Sequence, residues 1–315
     1  LPSFPTRRSS DLMRQPTFEV LPVAILNFNP RIRTEKMAVS LSTNFTKQFE
    51  AEVKHAYQAT RKLSGTTRSR TGVVGSTVQF PKMSSGVAGL HVPQSEITAL
   101  NITHSNVTAT LSDFAAPEYT SIFDQQKVNY DERQELVQTL GNAIGRRCDQ
   151  IVLDALANSS TSLTVANSIG GSNTNVNVAK ILECARLMND KNVPAGDRYM
   201  VISADGLSSL LNEEKAASQD YVLHKAMTDG RIDNFLGFKV IMIGAMDEGG
   251  LAIDGSSDRT CFAWHKDSVG YAEGISLKTE INYVPERASW LTNVMLSAGG
   301  IAIDTNAIVQ VTARE

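Results

Sequence analysis

The stretch at residues 131–158, DERQELVQTLGNAIGRRCDQIVLDALAN, constrains the fold of this chain more than any other. Leu136, Leu140, Ile144, Cys148, Ile151 and Ala155 recur every three or four residues, with Val137 and Val152 beside them. That period places them on one stripe of a helix. Arg133, Glu135, Arg146, Arg147, Asp149 and Asp154 fall mostly off the stripe, as on a helix with one buried side. Asn129 and Glu132 have the spacing of a capping box, which would satisfy orphan amides at the helix start. At about 1.5 Å per residue the segment would form a rod of roughly 40 Å. A rod of that length in a chain of 315 residues is a spine on which other layers must pack. Its expected core contacts are Leu136, Leu140, Ile144 and Ile151.

Residues 1–36 carry Pro16, Pro22 and Pro30 and show no consistent period. The opening LPSFPTRRSSDL resembles the conceptual translation of a sequencing-library adapter joined in frame to a gene. LPVAILNF, residues 21–28, is too short to span a bilayer and lacks a signal-cleavage pattern. We read residues 1–36 as a non-native or disordered leader and Met37 as the start, favoured over Met13. Thr43 or Asn44 can cap a following helix, and Phe45, Phe49, Val53 and Tyr57 recur at four-residue spacing. That predicts an amphipathic arm over residues 37–63, either a core helix or one whose apolar stripe meets another chain.

Between Val53 and Ser95 there is no Asp or Glu, yet the interval holds Lys54, Arg61, Lys62, Arg68, Arg70 and Lys82. A solvated basic loop is the simplest account; a loop reaching onto an acidic neighbour or onto nucleic acid is the functional one. Val74, Ser76, Val78 and Phe80 alternate, as do Val107, Ala109 and Leu111. Period two, broken by prolines and glycines, predicts a long irregular hairpin. Such a hairpin has too little core to stand alone and must lean on something.

Residues 112–130 read as a connector into the spine, and the polar, Gly-rich residues 159–175 as a boundary. An α/β block follows. Val178, Ile181, Leu182, Ala185, Leu187 and Met188 predict a helix, residues 199–203 a buried strand and residues 206–211 another helix. Residues 223–227 would lie in a third helix, and FKVIMI, residues 238–243, in a second buried strand. Residues 269–272, 275–281, 290–297 and 308–312 are strand candidates that close the chain. The fold class is therefore α+β, with an α/β insertion between a long helix and terminal strands.

The chemistry-bearing residues converge nowhere in the sequence. Nucleophile-elbow and phosphate-loop motifs are absent, and Gly170-Gly171 follows no convincing strand. The five histidines show no metal-site spacing, and His265 beside Trp264 reads as a packing histidine. The carboxylate pairs Glu213-Glu214 and Asp247-Glu248 read as solvated surface. Cys148, Cys184 and Cys261 are odd in number and set among apolar residues, which predicts buried thiols rather than disulfides. A net charge of -3 gives no global pull toward nucleic acid or anionic membrane. No apolar run reaches the roughly 18 residues of a membrane span. Aromatics at 6% are few for a protein that stacks bases or sugars.

The order of parts resembles the tailed-phage major capsid proteins of the Hong Kong 97-like fold. Four stretches carry the resemblance: TLSDFAAPEYTSIFDQQKVNYDERQ (residues 110–134), ARLMNDKNVPAGDRYMVISADGLSSLL (185–211), GRIDNFLGFKVIMIGAM (230–246) and SWLTNVMLSAGGIAIDTNAIVQVTA (289–313). It extends over residues 37–315. It implies an amino-terminal arm at 37–63, an extended loop at 64–112, and a peripheral domain with the spine helix at 113–160 and 265–315. The α/β block, 161–264, would be the axial domain. Implied intersubunit contacts are Arg68, Arg70 and Lys82 of the loop and Phe45 and Phe49 of the arm. Some relatives cross-link a loop lysine to a neighbour's asparagine; Lys82 is the one lysine of this loop, but no matching motif licenses that role here.

The implied function is a self-assembling coat subunit that forms pentamers and hexamers of an icosahedral head around double-stranded DNA. Implied partners are further copies of itself, a scaffolding protein, a portal, and DNA held by non-specific contact, with no membrane. No cofactor, metal or catalytic residue is expected, and the place is the virion after assembly in the host cytoplasm. An encapsulin-like nanocompartment shell is the alternative within the same fold. An α/β enzyme assembling Asp205, Asp229 and Asp233 is the alternative from another class. If residues 1–36 contribute nothing, a chain starting at Met37 assembles as well as the full sequence in a sedimentation assay. Clear loss of assembly would refute their exclusion.

Overall fold

In the computed structural model, which describes residues 58–97, 99–128, 131–213 and 232–315, extended and helical segments alternate. All of these lie in one unit, Phe49–Glu315. The chain begins with β1 (Arg68–Arg70), β2 (Thr77–Met83), β3 (His104–Thr110) and β4 (Ser112–Ser121). A short helix α1 (Ile122–Gln125) precedes the long α2 (Glu132–Ala157). Then come β5 (Thr164–Val165), α3 (Val178–Asp190), β6 (Arg198–Ser203), α4 (Ala204–Asn212), β7 (Asn234–Phe235) and β8 (Phe238–Ile243). The last strands are β9 (Asp258–His265), β10 (Val269–Val284), β11 (Ser289–Ala302) and β12 (Ile308–Arg314). The expected leader, the arm with Phe45 and Phe49, and the helix at 223–227 lie outside the described residues.

The spine α2 runs for 26 residues. Its cap is Asp131, whose side chain accepts a hydrogen bond from the Arg133 amide at 3.2 Å. Asn129, expected in that role, lies outside the described residues. Ile144, Cys148, Ile151, Val152, Leu153, Ala155 and Leu156 are buried. Leu140 only borders the core, and Leu136 stays half-buried outside it. The stripe is therefore fully covered from Ile144 onward, where Val294, Leu296 and Ala298 of β11 and residues of the second sheet join one continuous buried cluster. Gly300 of β11 permits this approach: a Cβ there would stand 3.0 Å from the Ile151 carbonyl.

The strands form two larger sheets and a hairpin. The four-stranded sheet has the order β1-β10-β11-β4, and the six-stranded sheet the order β5-β12-β9-β6-β8-β7. Two expectations are corrected here. Residues 112–121, read as a connector, form β4, paired along its length with β11. The terminal strand β12, grouped with the peripheral strands, lies in the six-stranded sheet between β5 and β9. Non-local pairing decides both, and period alone cannot report it. β8 also differs from a fully buried strand: Phe238 and Ile243 are buried, whereas Lys239 and Met242 are exposed because β8 has only the two-residue β7 on its outer side.

Polar side chains tie these layers together. Lys180 in the first turn of α3 is fully buried, and its ammonium donates to the carbonyls of Thr174 at 2.6 Å and Thr312 at 2.8 Å. Burial lowers its pKa from the ordinary lysine value. Glu213 is not solvated surface, as expected from sequence: its carboxylate accepts from the Val178 amide at 2.7 Å, at the open start of α3. Arg198 donates to the carbonyls of Val193 at 2.6 Å and Pro194 at 2.9 Å, closing the turn after α3. The three cysteines are buried and free, and burial pushes the Cys184 and Cys261 thiols up to about 12.

Asp149 is the charged residue of α2 that is buried. Its carboxylate accepts from the amides of Lys62 at 2.7 Å and Leu63 at 3.0 Å, and Leu63 itself is buried. Burial raises its pKa; the two amides, Arg61 and Lys62 oppose the rise. A raised native value means that the unfolded chain loses its proton first as pH climbs. Asp149's contribution to stability therefore falls between the ordinary aspartate range and that raised value.

Two outcomes are expected in urea unfolding. Ile144→Asp puts an unpaired carboxylate on the covered stripe, at a cost of several kcal/mol even after its pKa shifts; a wild-type midpoint would show that the site tolerates water. Asp149→Asn keeps an acceptor for one amide, sets its NH2 against the other and costs about 1–3 kcal/mol. It also removes this residue's fall in stability with rising pH, so an unchanged pH profile would show that Asp149 titrates normally.

Candidate assembly interface

The β2–β3 hairpin follows the alternation in its sequence. Thr77–Met83 pairs antiparallel with His104–Thr110, opposing Val78 to Ala109 and Phe80 to Val107. Val78, Phe80 and Ala109 turn inward against Ala272 and Ile303, a small cluster separate from the main core. Gly270 of β10 makes the seat, since a Cβ there would stand 2.7 Å from the Phe80 ring. The hairpin thus leans on β10, as its missing core requires.

Its tip has no such support. Past the Ser84 amide bond to Thr103 at 3.0 Å, the described residues form no further strand ladder. Val87, Leu90, Val92, Ile97, Leu100 and Ile102 are exposed, Leu90 to 96%. A contiguous set of large apolar side chains in water marks a contact surface. The sequence period missed this set because it alternates with nothing; the signal available was a run of aliphatic residues almost free of charge.

The structure distributes the basic interval differently from expectation. Arg61 pairs with Glu273 at 3.3 Å and its guanidinium lies over the Tyr271 ring at 5.1 Å. Lys62 donates to the Met242 carbonyl at 2.9 Å. Lys82 pairs with Asp304 of its own chain at 3.0 Å at the hairpin root. These partners lie far off in sequence, which is why the interval read as unneutralised. Arg68 and Arg70 remain exposed on β1, an edge strand of the four-stranded sheet. Beneath the root, a cleft of 730 Å³ is lined by Lys82, Lys191, His265, Asp267, Asp304 and Asn306, among others.

Among the described residues the candidate acids of a reaction centre do not come together. Asp233 lines a 400 Å³ cleft without Asp205, and Asp229 lies outside the described residues. Among the described residues no group of His, Cys, Asp and Glu is placed to hold a metal ion. His265 uses Nδ1 to accept from the Asp267 amide at 3.3 Å, a local turn bond rather than core packing. Of the second carboxylate pair, Asp247 is exposed and Glu248 meets Arg147 at 3.4 Å at the surface. No helix among the described residues is long and apolar enough to cross a membrane.

Comparison with known proteins gives the arrangement a context. The capsid structure of the cyanophage P-SCSP1u superposes with a TM-score of 0.71 at 19% identity, over 92% of this chain and 100% of that one. The head structure of Helicobacter pylori bacteriophage KHP40 gives 0.72 at 12% identity, over 92% and 99%. Mycobacterium phage Che8 gives 0.66 at 16% identity, over 85% and 97%. These likenesses establish a shared mixed helix-and-sheet fold. No curated protein sequence matches the chain. A family model described as phage capsid protein matches residues 41–315. The chain therefore belongs to the phage capsid protein family.

Proposed function

We propose that this protein is the major shell subunit of a tailed-phage head with the Hong Kong 97-like arrangement of parts, assembling into pentamers and hexamers around double-stranded DNA. The observation that carries the reading is the hairpin tip, a row of exposed aliphatic side chains on an element with almost no core of its own. A shell subunit needs surfaces whose burial comes only from the next copy, and obligate contacts bury more than roughly 2,000 Å². Heterologous contacts of this kind close into rings.

In this reading residues 37–63 are the arm, 64–112 the extended loop and 113–160 with 265–307 the peripheral domain. The axial domain takes 161–264 and, because β12 pairs with β9, the final strand as well. Arg68, Arg70 and Lys82 of the loop and Phe45 and Phe49 of the arm meet a neighbouring subunit. A scaffolding protein and a portal are the further partners, DNA is held by non-specific contact, and assembly precedes residence in the virion. The role is structural, not catalytic.

Electron microscopy of the expressed full chain tests the proposal directly: rings or closed shells support it, and a monodisperse monomer overturns it. Reversal of Arg68 and Arg70 to Glu tests the contact. Both are exposed, so folding stays near wild type, while ring and shell formation slows or stops. Salt weakens wild-type assembly as well, since exposed charges are screened within about 10 Å at 0.1 M. Empty shells forming at a normal rate in the double variant, with loss only of DNA retention, would move these charges from the subunit contact to the nucleic acid.

A further inference from the structure

The long strand β10 is covered on one side for only part of its length. β1 pairs with it at Gly270, Tyr271 and Ala272, and the Val73 amide reaches the Glu273 carbonyl at 3.1 Å. From Gly274 to Val284 no strand among the described residues pairs with that edge, while the opposite edge is held by β11. An open edge presents unpaired amides and carbonyls and is a template for another strand. Apolar side chains line this one: Leu277 is 54% exposed and Ile281 42%.

Residues 277–281, Leu-Lys-Thr-Glu-Ile, are self-complementary about Thr279. In an antiparallel pair related by a twofold axis through Thr279, Leu277 faces the other copy's Ile281. Lys278 then faces Glu280, and Thr279 faces its own counterpart. Opposed residues share a sheet face. Lys278 and Glu280 already share one, since they pair within the chain at 2.6 Å. Shifting the axis by one residue puts Lys278 against Lys278 or Glu280 against Glu280, so the charges select a single register. A lysine on an edge commonly keeps strands apart; here its acid partner stands where the axis needs it. The β-bulge between Ile275 and Lys278 ends the regular ladder on one side and limits the match to this stretch.

We propose that the open edge of β10 pairs with the same edge of a second copy across a twofold axis, joining two four-stranded sheets into one. The proposal rests on the shell reading and adds an isologous contact to its heterologous ones. Two experiments on the full chain decide it. In Thr279→Cys the paired Cα atoms stand about 4.5–5.5 Å apart, inside the roughly 4.4–6.8 Å that a disulfide spans. Oxidation gives disulfide-linked dimers on a non-reducing gel, over a low background because the native cysteines are buried.

The second experiment uses charge. Lys278→Glu and Glu280→Lys alone each set like charges across the axis, and shell yield drops about tenfold or more. Mixing the two variants restores opposite charges at each contact between unlike copies and restores yield. Rescue by the double swap K278E/E280K without rescue by mixing would assign the charges to the pair inside one chain and overturn the proposal. Shells that assemble normally from Thr279→Cys without cross-linking also overturn it, and leave the shell reading intact. So does a disulfide between Thr279→Cys in one copy and Leu90→Cys in another, which would give the edge to the hairpin tip. If wild type forms no shells, the shell reading fails; dimers of oxidised Thr279→Cys in the soluble chain still decide the pairing.

Discussion

The structure depends on the burial of one helical face. From Ile144 to Leu156 the side chains of α2 enter a cluster that continues through β11 into the six-stranded sheet. At about 25 cal/mol per Å² of apolar surface removed from water, that cluster as a whole is what offsets the entropy of ordering the chain. Because one buried cluster runs through both sheets, neither is an independent body. The exposed parts, hairpin and strand edge alike, are held by elements that this helix already fixes.

A coat subunit has to be stable before it meets its neighbours and incomplete until it does. The chain meets both conditions by separating two kinds of apolar surface. The main cluster is closed within one chain, whereas the hairpin tip and the β10 edge face water. Between them stand polar ties: Arg61 with Glu273, the latter largely covered, and Lys82 with Asp304, partly exposed on both sides and so of small energetic worth. They orient the hairpin root more than they bind it.

Much of this was legible in the sequence where the signal is local. The stripe of α2, the helix at 178–190, and the strands at 199–203 and 238–243 follow from period and stop signals, with bounds off by a residue or two. What escaped is non-local. β4 reads SDFAAPEYTS, with a proline and little apolar alternation, and is a strand because β11 supplies its ladder. β12 looks like any terminal strand until its partners β5 and β9 are known. Lys82 and Asp304 are 222 positions apart, Arg61 and Glu273 212, so charge counting over a window could not pair them. Leu136 and Leu140 satisfy the helical period as well as Ile144 does; period identifies a face, not how far along it the covering layer extends.

The pin at Asp149 has a mechanical side. Two backbone amides, at Lys62 and Leu63, are fastened to the middle of the longest helix, and Leu63 is wedged into the core beside them. Tension applied to the chain ahead of residue 58 is therefore borne by the spine and, through Arg61 with Glu273, by β10. The hairpin, which begins its pairing only at Thr77, follows both of these anchors in the chain. One end of the subunit can be pulled or released while the other keeps its grip.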